Sequence, residues 1–552
     1  MERTPVNRLL EPLANRHALS RRHALRLLGI AGGGATLAGS GLSALASGAG
    51  PDGVTITLSQ EPGQRPELVV GVAAFLPNLD PGQGGASSIA GSRISPLFFA
   101  SLLDVDYLAS DPPGSGSDIV PNLAESWERI DDLTVEVVLR DDIRFHDGTP
   151  VTSADVAFTI DRVIGPDAAP ETAIMRASFI TYESVEVIDD RTFRIVTATP
   201  DAALEKRLAS LRVVSKASVE ELGLAGYAQK PVGTGPYTIV AYDPADHLIL
   251  EAFDDFFGGP PPFSRVTFRM IPEVATRVAS ILSDEVQIIT DVPPDQLPGL
   301  QGAGTLKVDS IASNNAHFLF FNTKAPELAD KRLRQGLSLA IDRQLLVDSL
   351  WMGNAEVMRS YQVPEWGPLY NPDRPLDAYD PEAARRLIAE AGYDGTEIVF
   401  RAPATYYTLG ADAAQAVVAM WQEVGVNARV ELTDDPHNPE GLQVAFWSAG
   451  LAPTDPTLNF TSLYGPTSTI QTHFWTPEDA AFNENIAALT STLDETERTG
   501  LYQGMLDIFA DEVPATLLYR VHQLYAQRSD IGWTPYWTFE MDLSAKNITA
   551  GS

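Results

Sequence analysis

The sequence predicts a multidomain α/β protein, and three observations carry that expectation. At 552 residues the chain is too long for one simple core, so two or three domains are expected. From about residue 119, β-branched runs with partial alternation take turns with runs of helical period, the order of elements that builds layered α/β architectures. A 44% hydrophobic content without a 20–50-residue repeat describes a soluble globular protein and excludes a solenoid. The net charge of −34 argues against nucleic acid, whose phosphates most of the surface would repel. Cysteine is absent, which excludes disulfides, thiolate metal sites, a cysteine nucleophile and a lipid-modified N-terminal cysteine.

Taken in order, the chain opens on an address. "SRRHALRLLGIAGGGATLAGSGLSALASG" joins a basic stretch ending in Arg21-Arg22 to a Gly- and Ala-rich apolar run, then to Ala44-Leu45-Ala46 as a cleavage site. Ser20-Arg21-Arg22-His23-Ala24-Leu25 resembles the twin-arginine export motif, with Ala24 in place of the usual Phe. Residues 1–46 are therefore expected to be a cleaved signal and 47–66 a linker. "ELVVGVAAF" (67–75) reads as a strand and "ASDPPGSGSD" (109–118) as a loop. "LTVEVVLR" (133–140) and the two halves of "SVEVIDDRTFRIVT" read as strands, the latter joined at Asp189-Asp190. In "FHDGTPVTSADV", Asp147-Gly148 is a turn signal, Thr152 an N-cap and Asp155 its reciprocal partner, with His146 bonding the local backbone or turn. Tyr237–Tyr242 and Leu248–Phe253 pair as a hairpin, and "HFLFFNT" (317–323) is a short buried strand. Asp380 caps a helix with Pro381 at its first position, Ala384, Leu387, Ile388 and Ala391 on one face, and Gly392 at its end.

Several stretches together resemble one family: the family 5 extracellular solute-binding proteins of bacterial ABC transporters, the dipeptide, oligopeptide and nickel-binding group. The residues that carry the resemblance are "LVVGVAAFLPNLDPG" (68–82), "LAESWERIDDLTVEVVLRDDIRFHDGTPVTSADVAFTIDRV" (123–163) and the block opening "PVGTGPYTIVAYDPADHLILEAF" (231–253). "LFFNTKAPELADKRLRQGLSLAIDRQLLVDSLWMGNA" (319–355), "YDPEAARRLIAEAGY" and "RTGLYQGMLDIFADEVPATLLYR" (498–520) complete it in family order. The resemblance implies a two-lobed, class II periplasmic-binding-protein-like α/β fold with an extra small domain on the first lobe. Lobe I would combine 67–108, 233–311 and 515–552, the small domain 109–232, and lobe II 312–514. It also implies a receptor that closes on a peptide-like or other small polar solute and passes it to ABC membrane permease subunits; the signal, the lack of cysteine and the lack of a later spanning segment lead us to expect it in the periplasm, soluble and not a lipoprotein. A monomer without a cofactor is expected, exported by the twin-arginine machinery, with no catalytic function. The alternatives are an extracytoplasmic chaperone or sensor on the same scaffold, and a sugar, opine or metal chelate as ligand.

An interlobe cleft is walled by aromatics and a few placed polar groups. Four stretches qualify: Phe75 and Asn78 after the first strand; Asn314 and His317 near the lobe crossover; Tyr406 and Tyr407; and Trp447, Asp455, Asn459 and Tyr464. Each aromatic is as compatible with core packing as with a ligand wall, Asp455 before Pro456 with a turn, and His317 with a structural role. Peptide-binding members carry an aspartate soon after the Trp, pairing with the peptide amine. This chain reads Trp447-Ser448-Ala449-Gly450-Leu451, with no acid until Asp455. The carboxylates show no catalytic spacing, there is no Gly-x-Ser-x-Gly or His-Glu-x-x-His, and the glycines of "GTGPY" suit a tight chain passage better than a phosphate loop. The eight histidines are scattered, with no pair at helix-face ligand spacing.

Overall fold

A computed structural model describes residues 65–550 except 77, 84–87, 112, 166–167, 169–180 and 405. The signal and all but the last two residues of the linker lie outside the described residues. Arg65 anchors the linker's end, pairing with Asp254 at 2.7 Å and donating to the Pro261 carbonyl at 3.0 Å.

An 11-stranded sheet runs through both lobes. Its spine is two long antiparallel strands, Leu306–Phe321 and Ala515–Arg528. On one side the order continues through Ile288–Ile289, Glu67–Val72, Arg265–Met270, His247–Ala252 and Tyr237–Asp243. On the other it continues through Val444–Gly450, Ile398–Ala402 and Ala428–Leu432. Where the spine passes between lobes its pairing breaks: Ala312 faces His522, the next partners are Ala316 and Arg520, and Ser313–Asn315 are left out of the ladder. A break of this kind bends a strand pair and frees it locally.

The structure lengthens one expected element. The strand read at 317–323 is the end of one beginning at Leu306, so the expected border at 311/312 falls inside it. Its first half, "LKVDSIASNN", is mostly half-exposed and polar and gave no buried-strand signal, whereas Ala316–Phe321 are fully buried. The 108/109 border likewise falls within a hairpin, Leu103–Asp106 with Asp118–Pro121.

A separate antiparallel sheet orders Ala124–Asp131, Thr134–Leu139, Thr192–Thr197 and Tyr182–Val187, with helix Ser153–Ile164 over it. Val135, Val137, Leu139, Val156, Ile160, Phe193 and Ile195 form its core. This unit is called the small domain below. The Asp155 carboxylate accepts from the Thr152 N–H at 3.0 Å and its hydroxyl at 2.8 Å, starting the helix. Gly148 turns at φ +85°, and Asp147 accepts from the Thr149 N–H at 2.9 Å.

His146 does not serve the turn beside it. Its Nε2 meets the Gly235 carbonyl at 3.0 Å and its backbone N–H donates to the Gly233 carbonyl at 2.9 Å. Burial holds its imidazole down at about 4, so it is neutral. The Gly233-Thr234-Gly235 passage lies directly on the helix ending at Phe98, where a methyl on Gly233 would sit 1.8 Å from the Phe98 carbonyl oxygen. The "FHDGTP" and "GTGPY" stretches therefore fasten the small domain to lobe I.

Candidate functional site

Strand direction locates the cleft. In lobe I, Glu67–Val72 and Arg265–Met270 are parallel to Ile288–Ile289, which runs antiparallel to Ala515–Arg528. Their carboxyl ends therefore point at the spine's break. In lobe II, Ile398–Ala402 and Val444–Gly450 are parallel, and the latter runs antiparallel to Leu306–Phe321 so that Gly450 faces Asn315. Those carboxyl ends point at the break from the other side. Open α/β sheets bind ligands at strand carboxyl ends, and here two sets converge on one crossover.

Five segments leave those ends, starting at residues 73, 271 and 290 in lobe I and at 403 and 451 in lobe II. Phe75 is half-buried, edge-on to Tyr242 with centroids 5.9 Å apart, and the Asn78 side-chain oxygen accepts from the Asp80 N–H at 3.2 Å. Asp80 is buried against Arg162. At the crossover, the Asn314 N–H donates to the Trp537 carbonyl at 2.8 Å and its own carbonyl accepts from Leu451 at 2.7 Å, while its side-chain oxygen is buried without a partner. Neighbouring Asn315 reaches the Ser448 hydroxyl at 3.5 Å.

His317 is enclosed by Trp351, Tyr407, Phe446 and Tyr519, with ring centroids at 6.2, 5.1, 5.3 and 5.4 Å. Burial alone pushes its pKa down to about 3, and its Nδ1 has no hydrogen-bond partner. Tyr407 is half-buried above it, and burial raises its phenol. Tyr406 stands edge-on to Tyr407 at 4.7 Å and is 81% exposed. Asn314, His317, Tyr406 and Tyr407 thus gather at the crossover, with Phe75 and Asn78 on the lobe I segment that leads toward it.

The other four candidates lie on the opposite face of the lobe II sheet. Trp447 stacks on His437 at 4.1 Å and packs against Phe318 and Phe320. Tyr464 is fully buried among Tyr361, Phe460 and Phe509. Asn459 ties the strand's exit, donating to the Gly450 carbonyl and accepting from the Ala452 N–H. The Asp455 carboxylate meets Arg498 through two contacts of 2.8 and 2.9 Å and also accepts from Thr457. Burial alone would raise the Asp455 pKa, but Arg498 overrides it and holds the group at about 2. These four side chains are engaged in packing and loop geometry. Alternation along one strand puts Phe446 and Trp447 on opposite faces, and sequence alone does not say which face borders the cleft.

Three participants escaped the sequence reading. Asp291, with φ +54° at a strand's end, is bound by Arg93 at 2.9 and 3.0 Å; burial opposes its ionisation but Arg93 keeps its pKa lowered. The signal available was "ITDVPP", an acid between a strand and two prolines. Arg277 donates to the Ile271, Pro272, Thr290 and Asp291 carbonyls, stapling two strand ends together. Arg520 sits at the spine's break, donating to the Ser313 carbonyl at 2.5 Å and pairing with Glu356 and Glu365 at 3.0 and 2.7 Å. Among the described residues no cluster of three or more His, Cys, Asp or Glu could hold a metal, and no helix is long and apolar enough to cross a membrane.

Two lobes sharing a two-strand crossover, with both sets of strand ends aimed at it, define a hinged ligand-binding protein. Residues 118–471 match the bacterial extracellular solute-binding proteins, family 5 (Middle), and the chain belongs to that family. It is 26% identical over 473 residues to the glutathione-binding protein of Salmonella typhimurium, covering 81% of this chain and 88% of the relative. It is 24% identical over 437 residues to the dipeptide-binding protein of Escherichia coli, covering 73% and 81%. In fold it is similar to the ABC transporter substrate-binding protein CtaP of Listeria monocytogenes, with a TM-score of 0.78, 22% identity and coverage of 88% and 99%. The PBP AgaA in complex with agropinic acid, from A. tumefacien R10, gives a TM-score of 0.74 at 23% identity over 88% and 99%. The protein is thus an extracellular solute-binding protein.

Proposed function

We propose that this receptor captures a peptide-like or other small polar solute between its lobes, by bending at Ser313–Asn315, and delivers it to ABC permease subunits. The convergence of both sets of strand ends on the crossover carries this reading. A ligand that contacts both lobes has higher affinity for the closed form and so drives closure. Delivery is placed in the periplasm because residues 1–46 read as a cleavable twin-arginine signal, and the mature chain acts as a monomer without chemistry of its own. Lobe II is taken to begin at the spine's break, with the small domain riding on lobe I.

One observation favours a ligand without a free amine, such as an opine or a sugar. Asp455, the first acid after Trp447, is committed to Arg498. The relatives' peptide and glutathione ligands make the peptide-like class the first to test.

Mass spectrometry of solute co-purified under native conditions identifies the ligand directly. In a parallel thermal-shift screen with glutathione, dipeptides, an opine, oligosaccharides and a nickel–histidine chelate, a true ligand at a hundred times its Kd stabilises the fold by about 2.7 kcal/mol. No shift with any of them, together with protection of unfolded clients, would instead support a chaperone. Export is tested by replacing Arg21 and Arg22 with Lys, which should leave the precursor in the cytoplasm.

A further inference from the structure

Lobe II touches the receptor away from the spine as well. The Lys206 ammonium lies 3.5 Å from the Asp455 carboxylate, and the Ala202 N–H donates to the Thr490 carbonyl at 3.0 Å. Lys206 and Ala202 belong to the small domain; Asp455 and Thr490 belong to lobe II.

Both sides of this contact are built rigidly. On the small-domain side, Arg129 pairs with Glu205 at 2.6 Å and donates to the Asp201 carbonyl at 2.7 Å. The buried Asp201 side chain receives Arg207 and the Thr181 hydroxyl. On the lobe II side, Arg498 holds Asp455 and donates to the Leu489 carbonyl at 2.9 Å, so one guanidinium positions both the loop and the helix end that meet the small domain. Between the two faces lies a small crevice of about 80 Å³, lined by Tyr107, Ala203, Lys206, Ala452, Pro453 and Leu458 among others.

The small domain is fastened to lobe I. Its core is continuous with Ala100, Leu102 and Leu103, the Leu102 N–H donates to the Leu211 carbonyl at 2.9 Å, and His146 is bonded to the Gly233–Gly235 passage. Bending at Ser313–Asn315 therefore slides Asp455 and Thr490 past Lys206 and Ala202.

We propose that the tip of the small domain, Ala202 to Lys206, is a docking face for the 452–458 segment of lobe II, and that it latches the lobes in the arrangement seen here. The extra domain then contributes to closing without touching the solute. This rests on the hinge reading above but not on any ligand, so it stands or falls separately from the assignment of the solute.

The test uses the mature protein without added ligand. Because the chain has no cysteine, Glu186→Cys on the small domain and Glu390→Cys on lobe II, both exposed, take two spin labels cleanly. Pulsed electron-spin distance measurements then report the lobe separation. Lys206→Glu should shift the distribution to longer distances, with a roughly fivefold or larger fall in the closed-to-open ratio, since it replaces a partly buried attraction by repulsion. Lys206→Met should shift it in the same direction by less, and serves if the charge reversal fails to fold. Lys206→Arg should overlay the wild type. Wild-type distributions in both the Glu and Met variants, or an equal shift in the Arg variant, would overturn the latch.

Discussion

Arg498 is the side chain whose loss lobe II should tolerate least. Arg498 and Asp455 are 7% and 5% exposed, so neither charge can turn to water when its partner is removed. Arg498→Met keeps most of the apolar stem but leaves the Asp455 carboxylate buried, with only Thr457 and a 3.5 Å lysine for company. Breaking a buried pair from one side costs about 3–5 kcal/mol. The electrostatics of the pair point to a similar size: a carboxyl held at about 2 instead of 3.8 corresponds to about 2.5 kcal/mol. Because the folded pKa is depressed, that contribution is full above pH 3.8 and is lost as pH falls through about 2. The assay is a double-mutant cycle by urea unfolding at pH 7 with Arg498→Met, Asp455→Asn and the pair. Each single variant should lose about 2–5 kcal/mol, and the double should lose well short of the sum, with a coupling of about 2 kcal/mol or more. A coupling below about 0.5 kcal/mol would refute the claim that this pair organises the 451–456 loop and the end of the helix Ala481–Ser491.

Three further outcomes follow from the geometry. His146, His317 and His522 are held neutral by burial at about 4, 3 and 4, so the unfolded chain binds protons there first and stability should fall as pH drops from 6.5 toward 4. His317→Phe should flatten that slope in thermal melts; an unchanged slope contradicts its buried, neutral state. Gly233→Ala should loosen the small domain, seen as faster hydrogen exchange across 124–139, whereas Gly148→Ala, with open space around it but φ +85°, should cost only about 1 kcal/mol. Tyr406→Ala should weaken binding of the identified solute without lowering the melting temperature, while Trp447→Ala, half-buried on His437, Phe318 and Phe320, should cost about 2 kcal/mol of stability. If Trp447→Ala changes affinity alone, the packed face of lobe II has been confused with the cleft.

The family and the two-lobed fold were legible because their signals are local. Asp380 accepts from the Ala383 N–H at 2.8 Å with Pro381 behind it, as the residues say, and Asp189 accepts from Arg191 and Thr192 where the turn was placed. Site geometry depends on partners far along the chain. His146 finds its acceptor 89 residues away, Asp455 its arginine 43 residues away, and Arg93 its carboxylate 198 residues away. Nor could the sequence divide the aromatics: Tyr407 follows one buried strand and Trp447 lies within another, yet one stands over His317 and the other packs on Phe318 and Phe320.

The strand Ala515–Arg528 has a consequence for how the protein is made. It leaves the ribosome after every strand it pairs with, yet it lies in the middle of the sheet, pairing with Leu306–Phe321 along both lobes and with Ile288–Ile289 in lobe I. Until it arrives, neither lobe can complete its core: Tyr519 and Leu518 belong to one, Leu517 to a second, Tyr525 to a third. Such long-range pairing is slow and leaves open sheet edges in the meantime. The nascent chain must therefore wait, unfinished in both halves, and a truncation before residue 515 would unravel the whole receptor instead of trimming one lobe.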